Sequence, residues 1–141
     1  MEIRIAADEP AKAACATLRR KVFIEEQGVS EAEEIDGLVA ECTHVLATSG
    51  GTPVGAARFR VTDDAVKIQR VCVSKEVRGR GVGAEIVGFI VGHARRYRLA
   101  PFARLGAQTH ALEFYRKLGF EAYGDDCLDA GIPHRDMQLK L

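Results

Sequence analysis

The chain has 141 residues, the length of a single domain (1–141) and enough to bury a core. It is 47% hydrophobic and 28% charged, an ordinary globular composition, and its 20 basic and 20 acidic residues cancel. No global charge therefore points to nucleic acid or to a membrane surface, and neither a secretory signal nor a bilayer-length apolar run is found. The four cysteines, at 15, 42, 72 and 127, form no C-x-x-C and no cluster with histidine. They read as reduced thiols of a cytoplasmic protein without a metal site.

Glu2 to Ala6 alternates and predicts a short strand. Asp8 and Pro10 read as the cap and first turn of an alanine-rich helix reaching about Arg20. Val22 to Val29 ends that helix and enters a loop; Ser30 to Glu34 forms a turn of helix, and Ile35 to Leu38 is loop. Thr43–Ala47 and Val54–Val61 read as a hairpin around Ser49–Pro53, with Gly55, Ala57, Phe59 and Val61 on one face and Ala56, Arg58 and Arg60 on the other. A strand over 66–73 follows. Beyond the central helix come a strand over 102–107, a helix from Thr109 or His110 to Leu118 capped by Gly119, and two closing strands around a loop at 124–133. This pattern predicts a mixed α/β sheet with helices on both faces.

The most informative stretch is Lys67 to Tyr97. Ile68, Val71 and Val73 suit a strand, Arg78-Gly79-Arg80-Gly81-Val82-Gly83 is a basic glycine-rich turn, and Val82, Ile86, Phe89, Ile90 and Tyr97 recur at helical spacing. A helix N-terminus presents unpaired N–H groups at the positive end of its dipole, and glycine lets a phosphate approach them. The turn is not a Walker A loop, because no Lys-Ser or Lys-Thr follows the glycines. A dinucleotide fold would need an acidic residue about 20 positions on, where the chain reads Arg98-Leu99-Ala100-Pro101.

The spacing Arg78-x-x-Gly81-x-Gly83, with Ala111-x-x-Phe114-Tyr115-x-x-x-Gly119-Phe120 downstream, resembles the two motifs of the GNAT family of N-acetyltransferases. The segments Phe23–Val29, Glu34–Leu38 and Gly131–Met137 are similar to a narrower bacterial subgroup typified by ElaA and YjcF. The resemblance spans nearly the whole chain and implies the GNAT-like acyl-CoA N-acyltransferase fold, in which the strands at 66–73 and 102–107 splay apart around the acyl-CoA. It implies acetyl transfer from acetyl-CoA, as cosubstrate, to an amine of a small molecule or peptide by direct attack, with no metal, nucleic acid or membrane partner; a homodimer stays open.

By the same resemblance Arg78, Gly79, Arg80, Gly81, Val82 and Gly83 cradle the pyrophosphate. The Val71 N–H faces the thioester carbonyl, the backbone at Cys72 and Val73 runs beside pantetheine, and Tyr115 attends the departing thiolate. Cys72 itself lacks an adjacent base and reads as a strand thiol. Many family members carry a Glu early on this strand, where Lys67 stands here. The candidates for general base are therefore Glu26, Asp36 and His44, or a water chain to a distant carboxylate. Arg58, Arg60 and Arg70 either meet an acidic group on the acceptor or are solvated or carboxylate-paired, and His134 shapes the acceptor pocket or holds the final loop. His93 and His110 read as structural. A non-catalytic acyl-CoA-binding or regulatory module of the same fold is the alternative.

Overall fold

The computed structural model describes residues 1–141. Seven strands, β1 (Glu2–Ile5), β2 (Thr43–Ser49), β3 (Thr52–Val61), β4 (Ala65–Val73), β5 (Phe102–Gln108), β6 (Glu121–Asp129) and β7 (Ile132–Lys140), form one sheet in the order β1-β2-β3-β4-β5-β7-β6. Every neighbouring pair is antiparallel except β4–β5. The helices are α1 (Glu9–Arg19), α2 (Glu31–Glu34), α3 (Val82–Arg96) and α4 (Leu112–Lys117).

α1 begins where Asp8 accepts a hydrogen bond from the Ala11 N–H, with proline in the first turn. Its buried side, Ala11, Cys15 and Leu18, packs with Val22 on Leu46, Ala56 and Cys72 of the sheet. α3 covers the opposite face with Ile86, Val87 and Ile90, all at most 1% exposed, over Val45, Ala57, Phe59, Val66 and Met137. Each such side chain withdrawn from water contributes about 1.5–3 kcal/mol. Gly55 sets the approach of α3: a Cβ there would meet Ile86 Cδ1 at 2.7 Å and Val82 Cγ1 at 3.1 Å. The two faces of β3 thus divide as its alternation predicts, although Val61 at the strand end is exposed.

Three segments differ from the sequence expectation. Arg20–Glu26 continues α1 as a π-helix, where a loop entry is expected; a single-turn widening of this kind has no signature in apolar spacing. The region 124–133 is a hairpin with its turn at Ala130-Gly131, both at positive φ, and not an open loop. The Gly124-Asp125-Asp126 run masks the strand because the pairing shifts register there, between Tyr123 and Cys127. The third is a bulge in β4. Ala56 pairs with Cys72 and Arg58 with Gln69, so Ala57 faces two residues, Arg70 and Val71, and Arg70 is left at φ 55°. The extra residue restores Cys72 to the α1 face, where it is buried. Cys15 is buried too, Cys42 is partly covered and Cys127 on β6 is exposed.

Candidate active site

β4 and β5 pair only from Ala65↔Phe102 to Lys67↔Arg104. Beyond this the two strands no longer pair, and three residues further along β4 comes the bulge at Arg70. The gap is a cleft of about 690 Å³. Val71, Cys72 and Val73 line one wall, Leu105, Gly106, Ala107 and Gln108 the other, and Arg78 and Tyr115 also reach it. Past Lys67 the β4 edge facing the cleft has no strand to pair with, so its backbone groups are available to an extended ligand.

At the end of β4 the turn through Gly79 and Gly81, both at φ near +80°, delivers the chain into α3. Gly81 is the N-cap and no side chain caps this 15-residue helix, so its first N–H groups are unsatisfied by side chains. A Cβ at Gly79 or Gly81 would meet nothing within 4 Å, whereas one at Gly83 would press on Phe114 Cζ at 3.3 Å and Val73 Cγ2 at 3.5 Å. The open, uncapped N-terminus fits a phosphate group. Of the six residues expected at this turn, Val82 turns its side chain into the core and Arg80 is exposed. Arg78 is anchored: its Nε donates to the Val73 carbonyl (3.0 Å) and its Nη2 to Glu26 Oε2 (2.6 Å).

Tyr115 projects from α4 into the cleft wall and packs edge-on against Phe114 and Phe120, with ring centroids 4.9 and 6.0 Å away. Burial alone pushes its phenol up to about 12. The Cys72 thiol is likewise pushed up to about 12 by burial, which keeps it protonated and unreactive.

The three expected bases are not brought together. Glu26 is tied to Arg78. Asp36 is clasped by Arg58 and donated a hydrogen bond by the Leu38 N–H, with Arg70 at 3.4 Å. Burial alone would raise its carboxyl, but these partners outweigh it and hold the group below the usual range. His44, 3% exposed, lies under α1 and does not line the cleft; its Nε2 sits 3.0 Å from the Val39 carbonyl, and burial lowers its pKa. Arg58 and Arg70 are thus carboxylate-paired, and they do not converge on the cleft as free cations.

One feature escapes the sequence, and a second is only partly legible in it. Gln27, closing the π-helix, and Gln108, ending β5, exchange amide hydrogen bonds of 2.9 and 3.4 Å across the cleft. They separate it from a smaller cavity of about 50 Å³ that Glu33, Asp129 and Ile132 help to line. His134 of β7, paired in register with Gln108, borders both spaces. Its Nδ1 lies 2.7 Å from the Ile132 carbonyl, which only accepts, so Nδ1 is the donor, and in the neutral ring Nε2 is the nitrogen with the lone pair. The sequence offers His134 as shaping the acceptor pocket or holding the final loop, without the register that aligns it with Gln108.

A splayed parallel pair beside an uncapped, glycine-opened helix is the architecture of an acyl-CoA-dependent acyltransferase. The acetyltransferase (GNAT) domain model matches residues 6–141, and the chain belongs to that family. It is 41% identical to the uncharacterized N-acetyltransferase YjcF of Bacillus subtilis over 121 residues, 85% of this chain and 86% of that protein. The crystal structure of Escherichia coli ElaA superposes with a TM-score of 0.86 at 27% identity over 97% of each chain. A crystal structure of an aminoglycoside 6'-N-acetyltransferase complexed with coenzyme A shares the fold, with a TM-score of 0.78 at 20% identity, covering 99% of this chain and 97% of that one.

Proposed function

We propose that the protein is a cytoplasmic N-acetyltransferase, acting as one domain over residues 1–141, that transfers the acetyl group of acetyl-CoA to an amine by direct attack in a ternary complex. The observation that carries this reading is the open cleft between β4 and β5 ending at the uncapped N-terminus of α3. The N–H groups of Gly81, Val82 and Gly83 hold the pyrophosphate, and Arg78 and Arg80 add positive charge. The free β4 edge at Val71, Cys72 and Val73 pairs with the pantetheine arm. Acetyl-CoA supplies an acyl group already activated as a thioester.

The Val71 N–H donates to the carbonyl oxygen of that thioester and stabilises the charge that develops there. Tyr115 donates a hydrogen bond to the departing sulfur. At the acceptor end His134 Nε2, with Asp129 and Asp136 beside it in the cleft, takes the proton of the incoming ammonium. Glu26 serves instead to fix Arg78, and His44 to neutral packing under α1. The acceptor enters beside the Gln27–Gln108 pair, between the π-helix and the β6–β7 hairpin.

Calorimetric titration with acetyl-CoA, with NAD as control, tests the cradle. Binding of acetyl-CoA alone is expected, followed by thiol release when amines are added. Acetyl-CoA binding without thiol release from any amine would favour a non-catalytic binding module, and no binding would remove the reading altogether.

A further inference from the structure

The inner end of the cleft, where β4 and β5 still pair, carries an unusual line of charge. Arg60 pairs in register with Lys67, and Lys67 with Arg104, so three cations stand directly across three adjacent strands on the face away from α3. Side chains directly opposite each other on neighbouring strands are close enough for like charges to repel. The sheet offers little to offset this. Arg104 donates to Asp64 Oδ2 at 2.7 Å and to Gln138. Lys67 has no ion pair, and the Arg60 Nε is buried without a hydrogen-bond partner. By contrast Arg58, one inward-facing position along β3, is fully engaged by Asp36 and Gln69. The next acid in the same row is Glu121, beyond Gln138 at the far edge of the sheet.

The charge reverses towards the other end of the acceptor face. Asp136, opposite Gly106, and Asp129 line the cleft near His134. Gly106 has no side chain to block the floor between the two ends; a Cβ there would meet only Asp136 Oδ1, at 3.8 Å. Lys67 lies four positions before Val71, about 13 Å of strand, and on the opposite side of it from the α3 N-terminus. It is therefore far from the proposed pyrophosphate cradle.

We propose that the acceptor is an amine that also bears a carboxylate, and that Lys67, flanked by Arg60 and Arg104, binds that carboxylate while Asp136 and His134 receive the amine. The inference rests on the transferase reading for the direction of the amine, and the anion site itself is tested apart from it. Repulsion between Lys67 and Arg60, which have no ion pair, and Arg104, which Asp64 offsets, is the cost of a site kept ready for a negative charge, and the aspartates at the other end disfavour a purely anionic ligand.

The probe is 6-aminohexanoate, with 6-aminohexanamide as its uncharged counterpart. Each is titrated into isotope-labelled protein while the backbone amides of Arg60, Lys67 and Arg104 are followed by NMR. Acetyl-CoA affinity is measured in parallel by calorimetry. The carboxylate is expected to shift these amides saturably and to bind at least tenfold more tightly than the amide. Lys67→Met keeps the apolar stem and removes the charge. It should weaken 6-aminohexanoate at least tenfold, leave acetyl-CoA affinity unchanged and raise the melting temperature by relieving the row. Equal binding of the two probes, no saturable shift with the carboxylate, or a Lys67→Met protein that binds it as well as the parent would overturn the proposal. Loss of acetyl-CoA binding with the carboxylate site intact would instead overturn the transferase reading alone.

Discussion

A phenol pushed up to about 12 remains protonated throughout the neutral range, so in the proposed reaction Tyr115 is a donor and not a base. Handing its proton fully to the thiolate of a more acidic thiol would run uphill. A hydrogen bond to the developing negative charge has no such cost. Tyr115→Phe should accordingly lower kcat about tenfold, the loss of one charge-assisted hydrogen bond, and leave the Kd for acetyl-CoA unchanged. Steady-state rates and calorimetry on the same preparation decide it; an unchanged kcat would remove the hydroxyl from the reaction. His134 makes a different demand. If its Nε2 takes the proton of the incoming amine, His134→Gln should lower kcat about a hundredfold and leave the Kd for acetyl-CoA unchanged. A residue that only shapes the pocket would move KM and leave kcat in place.

Among the elements, the turn into α3 is where conformation and proposed binding coincide. Gly81 sits at φ +80° with open space where a side chain would go. Gly81→Val should therefore cost about 1–2 kcal/mol of stability through backbone strain, without any steric clash inside the protein. It should weaken acetyl-CoA more severely, because the new side chain fills the phosphate approach. Equal affinity in both proteins would show that no ligand comes to this turn. This element was legible in the sequence because glycine spacing and helical periodicity are both local. The same is true of the cap at Asp8, of Gly119 at φ 99° and of the alternation in β3. The bulge at Arg70 was not legible, since a non-glycine residue at positive φ is held there by distant partners: the carbonyls of Glu33 and Glu34 and the carboxylate of Asp36. The Gln27–Gln108 bridge joins residues 81 apart, and no pattern of residue types anticipates it. His44 was attractive as a base for its intrinsic pKa, but only the tertiary packing shows it sealed under α1.

The whole molecule is clamped by a buried ionic chain that ties the α2 segment to the sheet. Arg19 meets Glu34 at 3.2 Å, Glu34 approaches Arg70, and Asp36 joins Arg70 to Arg58, whose side chain is 1% exposed. Folding lowers the Asp36 carboxyl below its unfolded value, so its contribution is complete above about pH 4 and is lost as the pH falls through the folded value. Folding also lowers His44, by burial, so that contribution is complete above about pH 6.5 and declines below it. Urea unfolding should therefore show a first loss of stability between pH 7 and 5 and a second below pH 4. Asp36→Asn should reduce the second step, to which Asp64 and Glu76 also contribute, and cost about 2 kcal/mol at pH 7, a value reduced for the partial exposure of Asp36, because Arg58 would remain buried without its counter-charge. A variant as stable as the parent at pH 7 would contradict this. The thiols have a practical consequence of another kind. Cys15 and Cys72 are sealed in the interior, and Cys42 is half-covered with its pKa raised by burial, whereas Cys127 stands exposed on the hairpin, paired in register with His134 beside the proposed acceptor entrance. A maleimide dye at neutral pH should thus attach to the native protein at Cys127 first. Without any engineered cysteine, the molecule carries its own fluorescent reporter position, poised to register the arrival of an acceptor.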